Sequence, residues 1–254
     1  MAGLFPRPAR VVVPGAVHLP NWLDPERQRV LAGACQRWGD EAGGFRAPKL
    51  PRRGQMSVGI TCLGWHWLPY RYSRTVDDGD GRKVPPFPGW LGTWSKEALE
   101  AAAAVEEEAV EEGAGASFVA DQDRDGTPET GPIGCHGPLA GEVAGFAPDV
   151  ALVNRYTPGS SMGLHADKDE ASWAPVVSFS LGDSAVFRFG NTTNRSRPWQ
   201  DITLESGDLF VFGGPVRRAY HGVTKVLPGT LDASLGLDLP PGRFNVTVRQ
   251  SGFE

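Results

Sequence analysis

The sequence predicts an α+β protein whose helices precede an all-β C-terminal half. From residue 148 onward, short apolar runs recur with turn residues between them, a spacing typical of β-sandwiches and barrels. The 254 residues include 33 glycines and 22 prolines, which favours turns and short strands over long helices. A chain of this length can bury a sizeable core without disulfides or a structural metal.

The N-terminal part contains the first predicted elements. Residues 10–19 are typical of a short strand that a Pro-Gly turn interrupts. Asp24 and Pro25 indicate a helix start, as N-cap and first helical residue, and we expect the helix to end near Trp38. Three residues are expected on its apolar side: Val30, Leu31 and Ala34.

The following segments lead to the clearest helix of the sequence. Residues 44–55 are basic and loop-like, 56–63 are typical of a strand, and 64–94 are rich in Trp, Tyr, Pro and Gly. Good helix formers over 95–112 predict a helix with Ser95 as N-cap and a glycine at its end. Seven strands are predicted further on: 149–156, 175–181, 184–190, 201–204, 208–212, 219–226 and 243–250.

His165 and Asp167 are the first candidate metal ligands. Residues two apart on an extended segment project to the same face, so this imidazole and this carboxylate can reach one metal ion. His221, on a later predicted strand, can supply a third ligand. Two histidines and a carboxylate form the facial triad of non-haem Fe(II) oxygenases. The His-x-Asp pair alone is a weak signal, since a surface histidine is the simpler interpretation.

The last predicted strand strengthens the oxygenase interpretation. Polar and apolar residues alternate from Arg243 to Arg249, so one face packs while the other presents a polar row with an arginine at each end. An edge strand facing water would show the same pattern. A dicarboxylate cosubstrate such as 2-oxoglutarate needs two guanidinium anchors, or one anchor and the metal. Asn154 and Tyr156 also share a face and could both donate to a carboxylate.

Seven strings follow one another over residues 148–254: Asn154-Arg-Tyr-Thr-Pro-Gly, Leu164-His-Ala-Asp-Lys-Asp-Glu170, Pro175-Val-Val-Ser-Phe-Ser-Leu-Gly182, Ser206-Gly-Asp208, Gly213-Gly214, Tyr220-His-Gly222 and Arg243-Phe-Asn-Val-Thr-Val-Arg-Gln250. Together they resemble the catalytic core of the AlkB family, the Fe(II)/2-oxoglutarate-dependent nucleic-acid dealkylases. A weaker match continues upstream at Leu63-Gly-Trp65 and Tyr70-Arg-Tyr72, in the region of the family's nucleotide-recognition lid.

The resemblance implies an architecture for the whole chain. Residues 148–254 would form a double-stranded β-helix, or jelly-roll, catalytic core within the α+β fold. Residues 1–112 would form an N-terminal extension whose helices pack on the core, with the lid at about 45–94. An acidic Gly/Pro-rich loop over 113–147 would join the two parts.

The resemblance also implies the cofactors Fe(II), 2-oxoglutarate and O₂, and a role for individual residues. The catalytic iron ligands would be His165, Asp167 and His221. The residues around 2-oxoglutarate would be Arg243, Asn245 and Tyr156 at its distal carboxylate, with Arg249 and Asn154 near its metal-chelating end. The substrate contacts would be Trp65 stacked on the extruded base, Asp169 at its exocyclic amino group, and Tyr70 and Tyr72 in the lid near the phosphates.

Five arginines could contact phosphate, although a solvated strand edge is an equally simple interpretation: Arg188, Arg195, Arg197, Arg217 and Arg218. By the resemblance, the chain demethylates 1-methyladenine and 3-methylcytosine in single-stranded or damaged DNA, coupling 2-oxoglutarate decarboxylation to alkyl hydroxylation and release of formaldehyde. A poorly paired methylated base costs less to extrude from its stack. Two alternatives stay open: a dioxygenase of the same fold acting on RNA, protein or a small metabolite, and a β-barrel binding protein with an inert metal site.

Composition restricts the partners. With 25 Lys and Arg against 30 Asp and Glu, the net charge of −5 excludes a protein that coats DNA through bulk positive charge. The excess acid lies in 97–112 and 121–129, and the remaining chain is net positive, which suits DNA or RNA as a partner. The sequence shows no signal peptide and no apolar run that could span a bilayer. We therefore expect a cytoplasmic monomer that does not enter membranes.

Other motifs receive structural interpretations. Asp121-x-Asp123-x-Asp125-Gly126 resembles half of an EF-hand loop, but Pro132 stands where the bidentate glutamate should be, so we expect a solvated acidic turn. Cys62 is expected to be a small core residue. Three histidines have no partner pattern and are not expected to bind metal: His18, His66 and His136.

Overall fold

The computed structural model of the chain describes residues 7–50, 54–112 and 139–254. These residues form strands β1 Arg10–Val13, β2 Ala16–Leu19, β3 Lys49–Leu50, β4 Gly54–Gln55, β5 Val58–Leu63, β6 His66–Leu68, β7 Arg71–Ser73, β8 Val150–Tyr156, β9 Val176–Gly182, β10 Ser184–Gly190, β11 Trp199–Leu204, β12 Leu209–Phe212, β13 His221–Leu227 and β14 Arg243–Arg249. The α-helices are α1 Pro25–Glu41, α2 Gly89–Glu111 and α3 Ala140–Val143, and two 3₁₀ turns span Gly214–Val216 and Ala233–Leu235.

Two antiparallel sheets form the core. The larger sheet has the strand order β1-β2-β12-β9-β14-β8-β5, and the smaller has the order β11-β10-β13. Apart from the β1–β2 hairpin, every pair of neighbours in the larger sheet is non-consecutive in the chain, as jelly-roll topology requires. This arrangement confirms the predicted α+β fold with a double-stranded β-helix core, and all seven predicted C-terminal strands are present.

The N-terminal residues contribute strands to the core as well as helices. β2 pairs with β12, and β5 pairs with β8 along its whole length, so both belong to the larger sheet. Only parts of the expected 45–94 lid are therefore separate from the core. These are the two small hairpins, β3–β4 and β6–β7.

Helix α1 begins where the sequence predicts. The Asp24 Oδ1 atom accepts a hydrogen bond from the Arg27 backbone N–H at 2.7 Å, which caps the first turn. Leu31 and Ala34 are buried, but Val30 is 45% exposed, so its placement on the apolar side was wrong. Neighbouring helical residues lie about 100° apart, and the buried stripe continues from Leu31 through the i+3, i+4 and i+7 positions.

Helix α2 begins earlier than the sequence predicts. Its first residue is Gly89, and Ser95 is a buried interior residue whose hydroxyl donates to the Leu91 carbonyl at 2.7 Å. Serine can satisfy its hydroxyl in this way within a helix, so the N-cap interpretation of Ser95 was wrong. Near the other end, the buried Glu106 carboxylate accepts hydrogen bonds from the Gly15 and Leu139 backbone N–H groups at 2.5 and 2.7 Å. Gly113, the acidic 121–126 motif, Pro132 and His136 lie outside the described residues.

Asp208 joins the N-terminal segment to the larger sheet. Its side chain is fully buried beside β12 and accepts hydrogen bonds from Arg7 at 2.7 Å and from His18 at 3.0 Å. The backbone N–H groups of Asn21 and Glu205 donate to the same carboxylate. Burial alone would raise the pKa of Asp208, but these hydrogen bonds outweigh it and the pKa is lowered from the ordinary value of 3.8.

We expect Asp208→Asn to lower the free energy of unfolding by about 2 kcal/mol at pH 7, because buried groups lose a charged hydrogen-bond partner. A carboxyl whose pKa is lowered by folding stabilises the protein above its unfolded pKa and loses this effect as the pH falls through its folded value. Urea unfolding should therefore show the difference between the two proteins shrinking below a pH of about 3.8. The matched control is Glu205→Gln, an exposed partner of Arg7, for which we expect a change below about 0.5 kcal/mol. A pH-independent difference would contradict the role given to the Asp208 charge.

Candidate active site

The three predicted iron ligands meet at one point between the two sheets. The His165 and His221 backbones pair with each other, each N–H donating to the other's carbonyl at 2.9 and 2.8 Å. Asp167 lies two residues after His165, and its two carboxylate oxygens lie 3.7 Å from the Nε2 atoms of the two histidines. One ligand atom from each residue lies within 4.8 Å of the other two, which is compatible with one shared metal ion.

The outer nitrogens of both imidazoles are fixed by the backbone. His165 Nδ1 lies 3.0 Å from the Gly163 carbonyl, and His221 Nδ1 lies 2.9 Å from the Ala219 carbonyl. A carbonyl can only accept, so each Nδ1 donates and each Nε2 keeps its lone pair for a metal. Two imidazole nitrogens and a carboxylate are the donor set of non-haem Fe(II) sites, and the residues present fit that ion.

The protonation states of the ligands also suit a metal. Burial lowers the pKa of His221 to about 4, against the opposing effect of Asp167, so the imidazole is neutral near pH 7. Burial would raise the pKa of Asp167, but the charges around it, that of Arg249 above all, outweigh burial, and the net pKa is lowered. A neutral imidazole and an ionised carboxylate are the forms that bind metal.

A buried ion network lies directly behind Asp167. Arg249 at the end of β14 contacts Asp167 at 2.7 Å and Glu170 at 2.8 Å. Glu170 is also paired with Arg217 at 3.1 Å and accepts the Tyr72 hydroxyl at 2.5 Å. Arg249, which the resemblance places near the metal-chelating end of 2-oxoglutarate, thus has its carboxylate partners within the chain, and this guanidinium holds the metal-ligand carboxylate in place.

A cavity of about 690 Å³ opens beside the three ligands. The polar row of β14 lines it, while the apolar side chains of the same strand are buried in the core. Because β14 lies between β8 and β9, the edge-strand interpretation is excluded and the predicted alternation is confirmed. The polar residues of this row are Arg243, Asn245, Thr247 and Arg249.

Arg243 is buried in the cavity wall without a carboxylate partner among the described residues. Its Nη2 donates to the Ser180 hydroxyl at 3.0 Å, and its Nε has no partner. Tyr156 stands opposite it on β8, and among the residues that the structure describes the Tyr156 hydroxyl has only the Met162 sulfur as a partner, at 3.7 Å. A buried guanidinium with an unused N–H, beside a phenol that donates to a weak sulfur acceptor, fits the distal carboxylate of 2-oxoglutarate.

The two asparagines of the cavity wall are bonded to their neighbours. Asn154 Nδ2 donates to Asn245 Oδ1 at 3.2 Å, and Asn245 Nδ2 donates to the Ser178 hydroxyl at 2.7 Å. Thr247 Oγ1 donates to the same Asn245 oxygen at 2.8 Å. These bonds set the orientation of both amides beside Arg243.

Trp67, not Trp65, lies at the cavity mouth. The Trp67 side chain lines the cavity and its Nε1 donates to Asp169 Oδ2 at 2.8 Å. Trp65 is buried away from the cavity, where its Nε1 donates to Asp149 at 3.1 Å and its ring contacts Phe253. The stacking role expected of Trp65 is therefore corrected, because its contacts with Asp149 and Phe253 hold the indole in the core, away from the cavity.

The other predicted substrate contacts fall into two groups. Tyr70 and Arg195 are exposed at the cavity mouth, where Arg195 Nε donates to the Leu164 carbonyl at 2.7 Å. Tyr72 does not face phosphate, since its hydroxyl belongs to the buried network around Glu170. Its ring contacts Phe253, so the lid role predicted for Tyr72 is replaced by a structural one.

The remaining candidates have structural partners. Arg188 is paired with Asp201 at 2.7 Å, and Arg217 is buried in the ion network, which excludes a phosphate contact for Arg217. His18 and His66 are hydrogen-bonded to aspartates. Cys62 is buried, as predicted, and its sulfur accepts the Trp67 backbone N–H at 3.4 Å. The guanidiniums of Arg197 and Arg218 lie over tryptophan rings.

Sequence reasoning gave no role to Glu170, and it left Arg217 between a phosphate contact and a solvated strand edge, both of which its burial excludes. Glu170 belongs to the same acidic string as Asp167 and Asp169. A third acid so close to two candidate site residues is a signal that a buried cation balances the charge of Glu170. Arg217 precedes His221 by four residues, but its burial depends on packing that a single sequence does not reveal.

The match to known families agrees with this geometry. Residues 15–249 match the model of the 2OG-Fe(II) oxygenase superfamily, so the chain belongs to that superfamily and its cofactors are Fe(II), 2-oxoglutarate and O₂. Within it, the chain belongs to the AlkB family. It is 48% identical to an alpha-ketoglutarate-dependent dioxygenase AlkB homolog of Caulobacter vibrioides, over 94% of this chain and 89% of the relative.

Relatives of a second kind are also similar. The DNA N(6)-methyladenine demethylase ALKBH1C of Arabidopsis thaliana is 33% identical over 94% of this chain, which spans about half (49%) of that relative's length. The solved structure of OsALKBH1 superposes with a TM-score of 0.74 at 33% identity, covering 96% of this chain and 100% of that one. Within the described ranges, no helix combines the length and apolar character needed to cross a membrane.

We expect His165→Ala to lower Mn(II) affinity by more than roughly 100-fold in isothermal titration calorimetry, because loss of even an outer hydrogen-bond partner costs about 10- to 100-fold. His66→Gln is the matched control, since His66 is bonded to Asp78 and should leave Mn(II) binding unchanged. Equal metal affinity in both variants would show that the three residues do not hold a metal.

Arg243→Met should raise the KM for 2-oxoglutarate by roughly 10- to 100-fold, as expected for a lost hydrogen bond to a charged group. Turnover of 2-oxoglutarate to succinate measures this change. The control Arg188→Met removes a guanidinium that is paired with Asp201 on the outer side of β10. An unchanged KM in Arg243→Met would place the distal carboxylate elsewhere.

Proposed function

We propose that the chain oxidatively demethylates N-methylated bases in nucleic acid, with single-stranded or damaged DNA as its substrate. The observation that carries this proposal is one cavity with three parts. The iron ligands lie at its base, Arg243 lies in its wall without a carboxylate partner among the described residues, and Trp67 with Asp169 lies at its mouth. When bound, Fe(II) and 2-oxoglutarate would activate O₂ to hydroxylate the N-methyl group, and the resulting N-hydroxymethyl group would leave as formaldehyde.

The residues of the cavity wall bind and orient 2-oxoglutarate in this proposal. Arg243 and Tyr156 donate to its distal carboxylate from neighbouring strands, and Asn154 and Asn245 line the wall between them and the metal ligands. Arg249 lies near the chelating end, where its ion pair with Asp167 orients that metal-ligand carboxylate. The apolar wall around His221 excludes water, since its ring packs against Phe212 and Phe187.

The cavity mouth favours a flat, positively charged base. The Trp67 indole supplies a stacking surface, and its N–H fixes the Asp169 carboxyl facing the cavity. Burial raises the pKa of Asp169, and no described cation is paired with it. The methylated rings of 1-methyladenine and 3-methylcytosine are cationic, so either base would offset the cost of burying this carboxylate.

A methylated base must leave its stack to reach such a recessed site, and this costs least in single strands. Arg195 at the mouth is placed to contact the substrate backbone. We further propose that the enzyme acts as a monomer, with RNA as a second nucleic-acid substrate.

N6-methyladenine is the second candidate substrate. The Arabidopsis relatives that match most of this chain are named DNA N(6)-methyladenine demethylases, and the structure of OsALKBH1 covers nearly all of it. N6-methyladenine is neutral, so it lacks the charge that would match Asp169. Proteins and small metabolites remain alternative substrates of this fold.

The deciding experiment supplies Fe(II), 2-oxoglutarate and O₂ with single-stranded oligonucleotides that contain 1-methyladenine, 3-methylcytosine or N6-methyladenine. Formaldehyde release and restoration of the unmodified base, followed by mass spectrometry, would support base demethylation and rank the substrates. The proposal would be wrong if the enzyme turned over 2-oxoglutarate and no methylated DNA or RNA stimulated that turnover.

We expect Asp169→Ala to lower kcat/KM for the methylated oligonucleotide by roughly 10- to 100-fold, because a charged hydrogen-bond partner of the base is lost. Decarboxylation of 2-oxoglutarate without substrate should change much less, since Asp169 is not bonded to the three iron ligands. Asp201→Ala on β11 is the control. Equal loss of both activities in Asp169→Ala would show that Asp169 supports the metal site and does not read the base.

A further inference from the structure

The tip of the β6–β7 hairpin carries a strained aromatic residue. Leu68 pairs with Arg71, and Pro69 and Tyr70 form the two-residue connection between the strands. The φ angle of Tyr70 is +74°, in the left-handed region that is unfavourable for residues with a bulky side chain. Among the described residues, the other non-glycine with positive φ is Asn21, a residue type that tolerates this conformation.

Contacts within the protein do not offset this strain. The Tyr70 side chain is 76% exposed, the most exposed of the large hydrophobic residues described. Within the described part of the chain, its hydroxyl forms no hydrogen bond and its ring forms no aromatic or cation–π contact. A glycine or asparagine would close the same turn at lower cost, so the hairpin does not need the aromatic ring, and the exposed ring is available to a bound ligand.

The location of Tyr70 identifies that contact. Tyr70 and Pro69 line the mouth of the active-site cavity, on the same hairpin as Trp67. If a base enters the cavity between Trp67 and the iron ligands, the next nucleotide of the strand remains at the mouth. Exposed aromatic rings bind single strands by stacking on successive bases, without sequence preference.

We propose that the Tyr70 ring stacks on the base next to the extruded one and so holds the substrate strand at the cavity mouth. This inference rests on the proposed demethylation of single-stranded nucleic acid and adds a contact to it. It differs from a phosphate contact, because stacking needs the ring and a phosphate needs the hydroxyl. Tyr70→Phe and Tyr70→Gly therefore separate the two.

The experiment compares a methylated oligonucleotide with the same strand carrying abasic positions on both sides of the lesion. We expect the wild type and Tyr70→Phe to lose roughly tenfold in kcat/KM when the flanking bases are removed. Tyr70→Gly should be roughly tenfold weaker than the wild type on the intact strand and insensitive to the flanking bases. Its melting temperature should stay at or above that of the wild type, because glycine relieves the strain.

Two results would overturn the stacking contact. If Tyr70→Phe were as impaired as Tyr70→Gly, the hydroxyl would be the binding group. If Tyr70→Gly lowered the melting temperature by more than about 2 °C, the ring would be serving the stability of the hairpin.

Binding is measured separately by fluorescence anisotropy of the same oligonucleotides, with Mn(II) and 2-oxoglutarate present. Flank-dependent binding without demethylation would overturn the proposed function and retain the stacking contact. Demethylation with flank-independent binding and turnover in the wild type would overturn the stacking contact alone.

Discussion

The ion network around Arg249 is the interaction on which the arrangement of the active site depends. Arg249 ends β14, Asp167 and Glu170 belong to the connection between β8 and β9, Arg217 precedes β13, and Tyr72 lies on β7. Two carboxylates and two guanidiniums make the network neutral. Breaking a buried pair leaves an uncompensated charge that costs several kcal/mol, so each of these elements constrains the position of the others.

The two arginines of β14 have different partners, and this difference gives the two ends of the cavity different roles. Arg249 has its charge balanced by Asp167 and Glu170, and it therefore acts on the metal site through a ligand. In the described part of the chain Arg243 has only neutral hydrogen-bond partners, and burial lowers its pKa from the ordinary guanidinium value. A buried cation that lacks a counter-ion is a binding site for an anion, so the same strand supplies a structural guanidinium at one end and a ligand-binding one at the other.

Local patterns predicted the strands and the face of β14 because alternation depends only on neighbouring residues. The metal ligands His165, Asp167 and His221 could also be predicted from the sequence. The side chains of a His-x-Asp pair on an extended segment point to the same face, which places two of the three ligands together. The stacking role predicted for Trp65 was wrong because the position of its indole depends on contacts with Asp149 and Phe253, which are distant in sequence. The start of α2 was missed for a similar reason. Ser95 resembles a cap locally, but tertiary packing extends the helix through Gly89.

The β6–β7 hairpin combines a fixed base with a strained tip. The Trp67 backbone N–H donates to the Cys62 sulfur, and its carbonyl accepts a hydrogen bond from Arg46. Arg46 is held in turn by Asp78 at 3.2 Å. Trp67 is therefore positioned before any substrate arrives, which reduces the ordering cost of binding a base. The exposed Tyr70 has no such support, so a bound strand would have to supply the contacts that hold its ring. Selection of the damaged base and retention of its strand would then depend on opposite ends of one short hairpin.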